Sequence, residues 1–291
     1  TETLMPEITA PGANPLKKFY RQPKVYLDLP SRGKYYPDGA IEMTETGELP
    51  VFAMTAKDEL AMKTPDALLN GQSTVDVIQS CIPNIKNAWG MPSVDLDAIL
   101  IAIRIATYGE HMQISYTTPN TTSERDYNMD LRQMLNKITN TQFEDRIEVG
   151  DMIVNLAPLT YKEFTRNAMK TFEEQRIFRI VNDDDIPDED KIEKFNVAFA
   201  KLTQMTVNML ATSIKSIEVE DQVVDNPLHI QEFIDNADKE FFNDILDHLE
   251  TQKVKFNIEP MKVESTSEEI EEGAPKTFEI PITFDQSNFF A

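Results

Sequence analysis

Residues 24–29 alternate apolar and polar positions, the period of a half-buried strand. Pro30-Ser31-Arg32-Gly33-Lys34 reads as a turn, because proline fixes the entry and glycine supplies a positive φ. Short apolar runs at residues 40–43 and 49–54 predict a hairpin joined across 44–48. The stretch 49–60 then passes from strand-forming to helix-forming residues, and the stretch 153–164 repeats the passage. In each, a Thr is followed three residues later by an acid: Thr55 with Asp58, Thr160 with Glu163. That spacing predicts a capping box, in which the hydroxyl and the carboxylate each take a free backbone N–H. An Ile-Glu pair precedes each stretch (Ile41-Glu42, Ile147-Glu148). The paired arrangement argues for a duplicated unit.

Apolar spacings of three and four predict the helices. In the first half these are residues 56–62, a segment from 66 stopped by Gly71, and 74–82 closed by Pro83. Ser93 is placed to cap a helix over 94–108, with Gly109 ending it. That helix is apolar nearly all round, so it belongs inside. Strands over 112–116 and 127–131 are expected to pair across a polar loop. In the second half, 146–149 and 152–156 predict a tight hairpin around Gly150-Asp151. Helices follow over 161–181 and 191–213, separated by an acidic break. Ile192, Phe195, Phe199, Leu202 and Met209 form one stripe of the latter. It reads as an ordinary buried face, with a partner-helix groove as the other reading. Asn226-Pro227 opens a helical stretch over 228–252, broken near Ala237. Strands over 254–263 and 278–284 close the chain across an acidic loop at 264–276. The expected fold class is α+β, in two related halves. Each half has a β-hairpin, a helical cluster and a helix followed by a β-hairpin. The expected segments are an extended arm at 1–23, halves at 24–140 and 141–284, and an interaction tail at 285–291.

Charge narrows the function. The 291 residues hold 28 Lys+Arg against 50 Asp+Glu, a formal net charge of -22. A nucleic-acid backbone rewards clustered cations, and an anionic membrane does too, so neither is an expected partner. The acidity serves solubility, or keeps contacts weak until a basic partner arrives. Residues 17–24 are the exception: locally basic, with Phe19 and Tyr20 among the cations, which reads as a docking arm or as a loose solvated terminus. Cys81 is the one cysteine, which rules out an internal disulfide and a Cys-based metal site. The opening residues lack the basic start and apolar core of a signal peptide. The most apolar run, 98–106, is too short to cross a bilayer of about 30 Å. A soluble protein made in a reducing cytoplasm is expected.

Reactive centres are missing from the pattern. His111, His229 and His248 have no partner at metal-ligand spacing. Asp183-Asp184-Asp185, Asp188, Glu189 and Asp190 lack the glycine an EF-hand needs, since Ile186-Pro187 intervenes. No Gly-x-Gly phosphate loop or Gly-x-Ser-x-Gly elbow occurs. Nothing singles out a pair of carboxylates for glycoside cleavage. The expectation is no enzyme, no catalytic residue, no metal and no cofactor.

Three stretches carry a resemblance. They are Leu29-Pro-Ser-Arg-Gly-Lys-Tyr-Tyr-Pro37 with Met54-Thr-Ala-Lys-Asp-Glu59, then Asp95-Leu-Asp-Ala-Ile-Leu-Ile-Ala-Ile-Arg-Ile-Ala-Thr-Tyr-Gly109, and the ending Phe284-Asp-Gln-Ser-Asn-Phe-Phe-Ala291. Together, from about residue 24 onward, they resemble the T4-type tailed-phage baseplate hub or baseplate-assembly family. The resemblance implies a structural part of a contractile-tail baseplate, at the hub or its connection to the wedges. Its partners would be other baseplate and tail proteins, in multiple copies per particle. Its place would be the virion, and the host cytoplasm during assembly. An assembly chaperone absent from the virion is the alternative, and a lytic enzyme a second one. Many members of the family carry Cys-x-x-Cys pairs in their hairpin loops, like small zinc ribbons. This chain has none there, so both hairpins are expected to fold without metal. The candidate interface residues are Phe19, Tyr20, Phe284, Asp285, Phe289 and Phe290. Two adjacent aromatics past a last strand cannot both enter a small core. One reading folds a ring back onto its own hairpin; the other anchors both in a neighbour.

Overall fold

The computed structural model describes residues 14–63, 71–180 and 187–282. Strand β1 (Pro23–Asp28) pairs antiparallel with β2 (Glu48–Phe52), Leu27 opposite Leu49. The partner of β2 is thus β1, not residues 40–43. The inward faces decide this. Val25 and Leu27 meet Leu49 and Val51, all four buried, each worth roughly 1.5–3 kcal/mol in transfer from water. Residues 40–43 instead lie against another loop, where Ile41 bridges Ile85.

Helix α1 (Ala56–Met62) begins with both bonds of the predicted capping box between Thr55 and Asp58. Helix α2 (Gln72–Cys81) starts from Gly71 at φ +76. The helix predicted from residue 66 lies outside the described residues. Helix α3 (Leu96–Tyr108) is the centre of the first core, with every residue from Ala98 to Ala106 buried. Ser93 does not cap it. A 3-10 turn, Ser93–Asp95, precedes it, and the Ser93 N–H goes to the Leu159 carbonyl. Gly109 ends the helix at φ +96, as predicted. Strands β3 (His111–Thr117) and β4 (Glu124–Asp130) pair over seven positions, longer than predicted. Helix α4 (Leu131–Thr139) follows directly, an element the periodicity missed. Asp130 caps it by accepting from the N–H groups of Arg132 and Gln133. Its buried residues Leu131, Leu135 and Ile138 close the first core.

Strands β5 (Arg146–Val149) and β6 (Met152–Leu156) form the predicted hairpin. Helices α5 (Tyr161–Ile180) and α6 (Asp188–Ser213) then leave the sheet and return to it. Thr160 and Glu163 exchange both capping-box bonds at the start of α5. Strands β7 (Ile214–Val219) and β8 (Gln222–Val224), not anticipated from sequence, complete a four-stranded antiparallel sheet in the order β5-β6-β7-β8. Helices α7 (Pro227–Asn236) and α8 (Lys239–Phe256) cover it, capped by Asn226 and Asp238. Val154, Ile217, Ile230, Phe241 and Ile245 lie in this second core.

The predicted strand over 254–263 is helix in its first three residues, irregular over 257–260 and strand only from Met261. Gln252 is buried, its amide oxygen accepting from the Glu144 N–H, and Lys255 pairs with Glu144, so the inward face of α8 runs on to Phe256. Only β9 (Met261–Glu264) is strand there, paired with β10 (Thr277–Ile280). The acidic loop between them holds a short helix, α9 (Ser267–Glu271), with its own capping box from Thr266 and Glu269.

The result is an α+β fold with small antiparallel sheets. A strand pair, a helix opened by a capping box and, later, a helix that leads into a second strand pair occur in that order over residues 23–130 and again over residues 146–280. No helix among the described residues is long and apolar enough to cross a membrane.

Candidate interaction surfaces

The N-terminal arm is rooted by one residue. The Arg21 guanidinium donates to the carbonyls of Ala53 and Ser80, to the Ser80 hydroxyl at 2.8 Å, and to Asp58 Oδ2 at 3.4 Å. Asp58 is the capping-box acid of α1, so one carboxylate starts a helix and holds the arm. Cys81 lies beside this cluster; burial first, then the Asp58 charge, pushes its thiol up to about 12, leaving it unreactive. Before Arg21 the chain forms a short 3-10 turn, Pro15–Phe19, capped by Asn14. Phe19 is 73 % exposed and Tyr20 57 %. Leu16 is exposed with them, and the Lys18 ammonium sits 5.0 Å from the centre of the Phe19 ring. The structure therefore brings Phe19 and Tyr20 together on an anchored, solvent-facing arm.

Two of the stretches that carry the resemblance meet in the interior. Asp95 is fully buried and accepts from the Ser31 N–H at 2.8 Å, the Ser31 hydroxyl at 2.6 Å and the Tyr36 hydroxyl at 3.0 Å. Burial outweighs these bonds and pushes the carboxyl up to about 6. The turn they hold is tight, with Arg32 at φ +55 and Tyr35 at φ +68. Tyr35 reaches the segment before β5, donating to Asp145 at 2.8 Å and meeting Phe143 edge-on. Further contacts across the chain are the stack of Trp89 on Tyr161 and the bridge of Pro92 to Thr160.

The two late hairpins are clasped at their tips. Glu269 accepts from Thr118 at 2.9 Å, Ser123 at 3.0 Å and Arg125 at 3.3 Å, besides the Thr266 N–H. The Thr266 bond is the largest cause holding this carboxyl down at about 2, against an opposing burial effect. The clasp thus consists of hydroxyls, one carboxylate and a guanidinium. This set does not fit a structural zinc, which takes four thiolate or imidazole ligands and would be repelled by Arg125. Among the described residues no group of three or more His, Cys, Asp or Glu could hold a metal ion.

A cleft of about 570 Å³ opens between α4 and the segment after α8. Met129, Met134, Ile138, Ile258, Met261 and Ile282 line it, and the Lys137–Glu259 ion pair sits at its edge. Ile282 is the last described residue. Phe284, Asp285, Phe289 and Phe290 lie outside the described residues.

One surface departs from the expected buried face and leaves the partner-groove alternative open. Helices α5 and α6 pack against each other, with Ala198 buried and Lys201 bonded to Glu174 at 3.2 Å. The stripe on α6 read as a buried face is exposed at Ile192, Phe195 and Phe199, and Phe164 and Phe172 of α5 are exposed as well. Periodicity shows that a stripe exists but not what covers it. Val223 within β8 and Leu228 at the start of α7 are exposed as well, and they belong to no periodic stripe.

A family model described as T4 bacteriophage base plate protein matches residues 23–279. No curated protein and no solved structure gives a significant match. The matched span contains the Ser31–Asp95–Tyr36 link, the three capping boxes, the β1-β2 and β3-β4 pairs and the whole four-stranded sheet. On that span the chain belongs to the T4 bacteriophage base plate protein family.

Proposed function

We propose that this baseplate protein is a permanent, non-enzymatic part of a contractile phage tail, seated at the hub or its connection to the wedges. The observation that carries the reading is the family match over residues 23–279. The surfaces agree with it in kind. Hydrogen-bonded clasps hold the body, and exposed aromatics lie at its edges, where interfaces draw their energy. In this reading the halves 24–140 and 141–284 form the body. Phe19 and Tyr20 at one end, and Phe284, Asp285, Phe289 and Phe290 at the other, contact neighbouring tail proteins. The protein works by fit alone, in the virion, after assembly in the host cytoplasm.

Mass spectrometry of purified particles tests permanence: the chain is expected at fixed stoichiometry, and an assembly chaperone would be absent. Cryo-electron microscopy of the same particles locates it at the hub or elsewhere. Deleting residues 285–291 should leave a soluble protein that no longer enters particles. A cell-wall zymogram should show no clearing.

A further inference from the structure

Charge is distributed very unevenly along this chain. Residues 14–24 hold four cations, Lys17, Lys18, Arg21 and Lys24, and no acid. Residues 218–250 hold eleven acids and one Lys. These segments are the β7–β8 turn and helices α7 and most of α8, on the second core. Glu220, Asp221, Asp225, Glu232, Asp235 and Asp244 are all exposed there. Among them stand two exposed apolar side chains, Val223 at 65 % and Leu228 at 77 %. The arm is the counterpart: Leu16, Phe19 and Tyr20 exposed among lysines.

We infer that the basic aromatic arm of one copy docks on the acidic β8–α7 surface of a second copy, giving head-to-tail self-association. The inference goes beyond the proposed role, since it names a partner for the arm. Three observations carry it. Lys17 and Lys18 of the arm match the acids of the acceptor, and each segment carries apolar residues for the other to cover. Arg21 fixes the root of the arm to the body, which lowers the ordering cost of docking. The remaining charge of the chain disfavours the other basic-arm partners, nucleic acid and anionic lipid. Donor and acceptor are different surfaces, so the contact is heterologous and propagates into rings or rows.

The test is sedimentation-based sizing of the purified 291-residue chain by analytical ultracentrifugation over a concentration series, at low and high salt. Association that rises with concentration and weakens with salt is expected. F19A/Y20A and V223K/L228K should each lower self-affinity by about 100-fold, with unchanged circular dichroism since all four side chains are exposed. Mixing the two variants should restore a one-to-one complex, because each retains the surface the other lacks. A wild type that stays monomeric throughout, variants that associate like wild type, or a mixture that forms no complex would overturn the inference. So would an arm that binds anionic vesicles or DNA at that salt in preference to a second copy. None of these readouts depends on particle incorporation, so failure here is separable from failure of the baseplate role.

Discussion

The Asp95 carboxylate grips Ser31 twice, through its backbone N–H at 2.8 Å and its hydroxyl at 2.6 Å, across 64 residues of chain. A residue at the head of the core helix thereby fixes the turn after the first strand. Asp95→Ala should lower stability by about 2–3 kcal/mol, because it leaves three donors without their acceptor. Chemical denaturation of wild type and variant measures the difference.

The same carboxyl gives a pH signature. Its folded value, about 6, lies above the ordinary 3.8. The folded state therefore holds this proton more tightly than the unfolded chain. The contribution to stability is full below the ordinary value and is lost as pH rises through about 6. Asp95→Asn cannot titrate. The stability of wild type relative to Asp95→Asn should thus fall between about pH 4 and 6, by up to roughly 3 kcal/mol. Denaturation of both proteins across that interval checks it, and parallel curves would refute it.

Arg21→Ala should free the arm. The side chain is partly exposed, so the stability cost is modest, about 1 kcal/mol. The larger effect is local: trypsin should cut after Lys17 and Lys18 several-fold faster than in wild type, read by mass spectrometry of the fragments.

Glu269→Ala should separate the hairpin tips while both cores persist. Hydrogen exchange would then quicken around Thr118–Ser123 and stay slow in α3. The wild-type clasp depends on ionised Glu269, so it is present above the ordinary carboxylate value of 4.5 and is lost as pH falls through about 2.

Gly71 tests local strain. It opens α2 at φ +76, and an added Cβ would lie 3.1 Å from Trp89 and 3.2 Å from Tyr161 and Thr165. Gly71→Ala combines a left-handed backbone with crowding at the contact between α2 and α5, and should cost about 1–2 kcal/mol in thermal unfolding.

What could be read from the chain follows the range of the forces involved. Capping boxes at Thr55 and Thr160, the Gly150-Asp151 hairpin and the glycine stop at Gly109 are local, and all three were legible. Pairings set by distant partners were not. β2 takes β1 because Val25 and Leu27 supply a buried face that residues 40–43 lack. Strand β7 hides behind its helix because its partner, β6, lies two helices earlier in the sequence. Helix α8 outruns its predicted end through Gln252 and Lys255, whose shared partner Glu144 is more than a hundred residues away. Of the candidate surface, the basic aromatic arm could be seen as composition. Its anchor at Arg21 could not, since Ser80 and Ala53 come together only in the fold.

Helices α5 and α6 both spring from one point of the sheet, since Leu156, just before them, pairs with Ile214, just after. They are about 30 and 39 Å long. Trimming or lengthening both by matched turns would change the length of the pair while its two feet stay where they are. Length and anchorage are therefore separate variables in this molecule, and the pair can be resized without rebuilding the sheet it stands on.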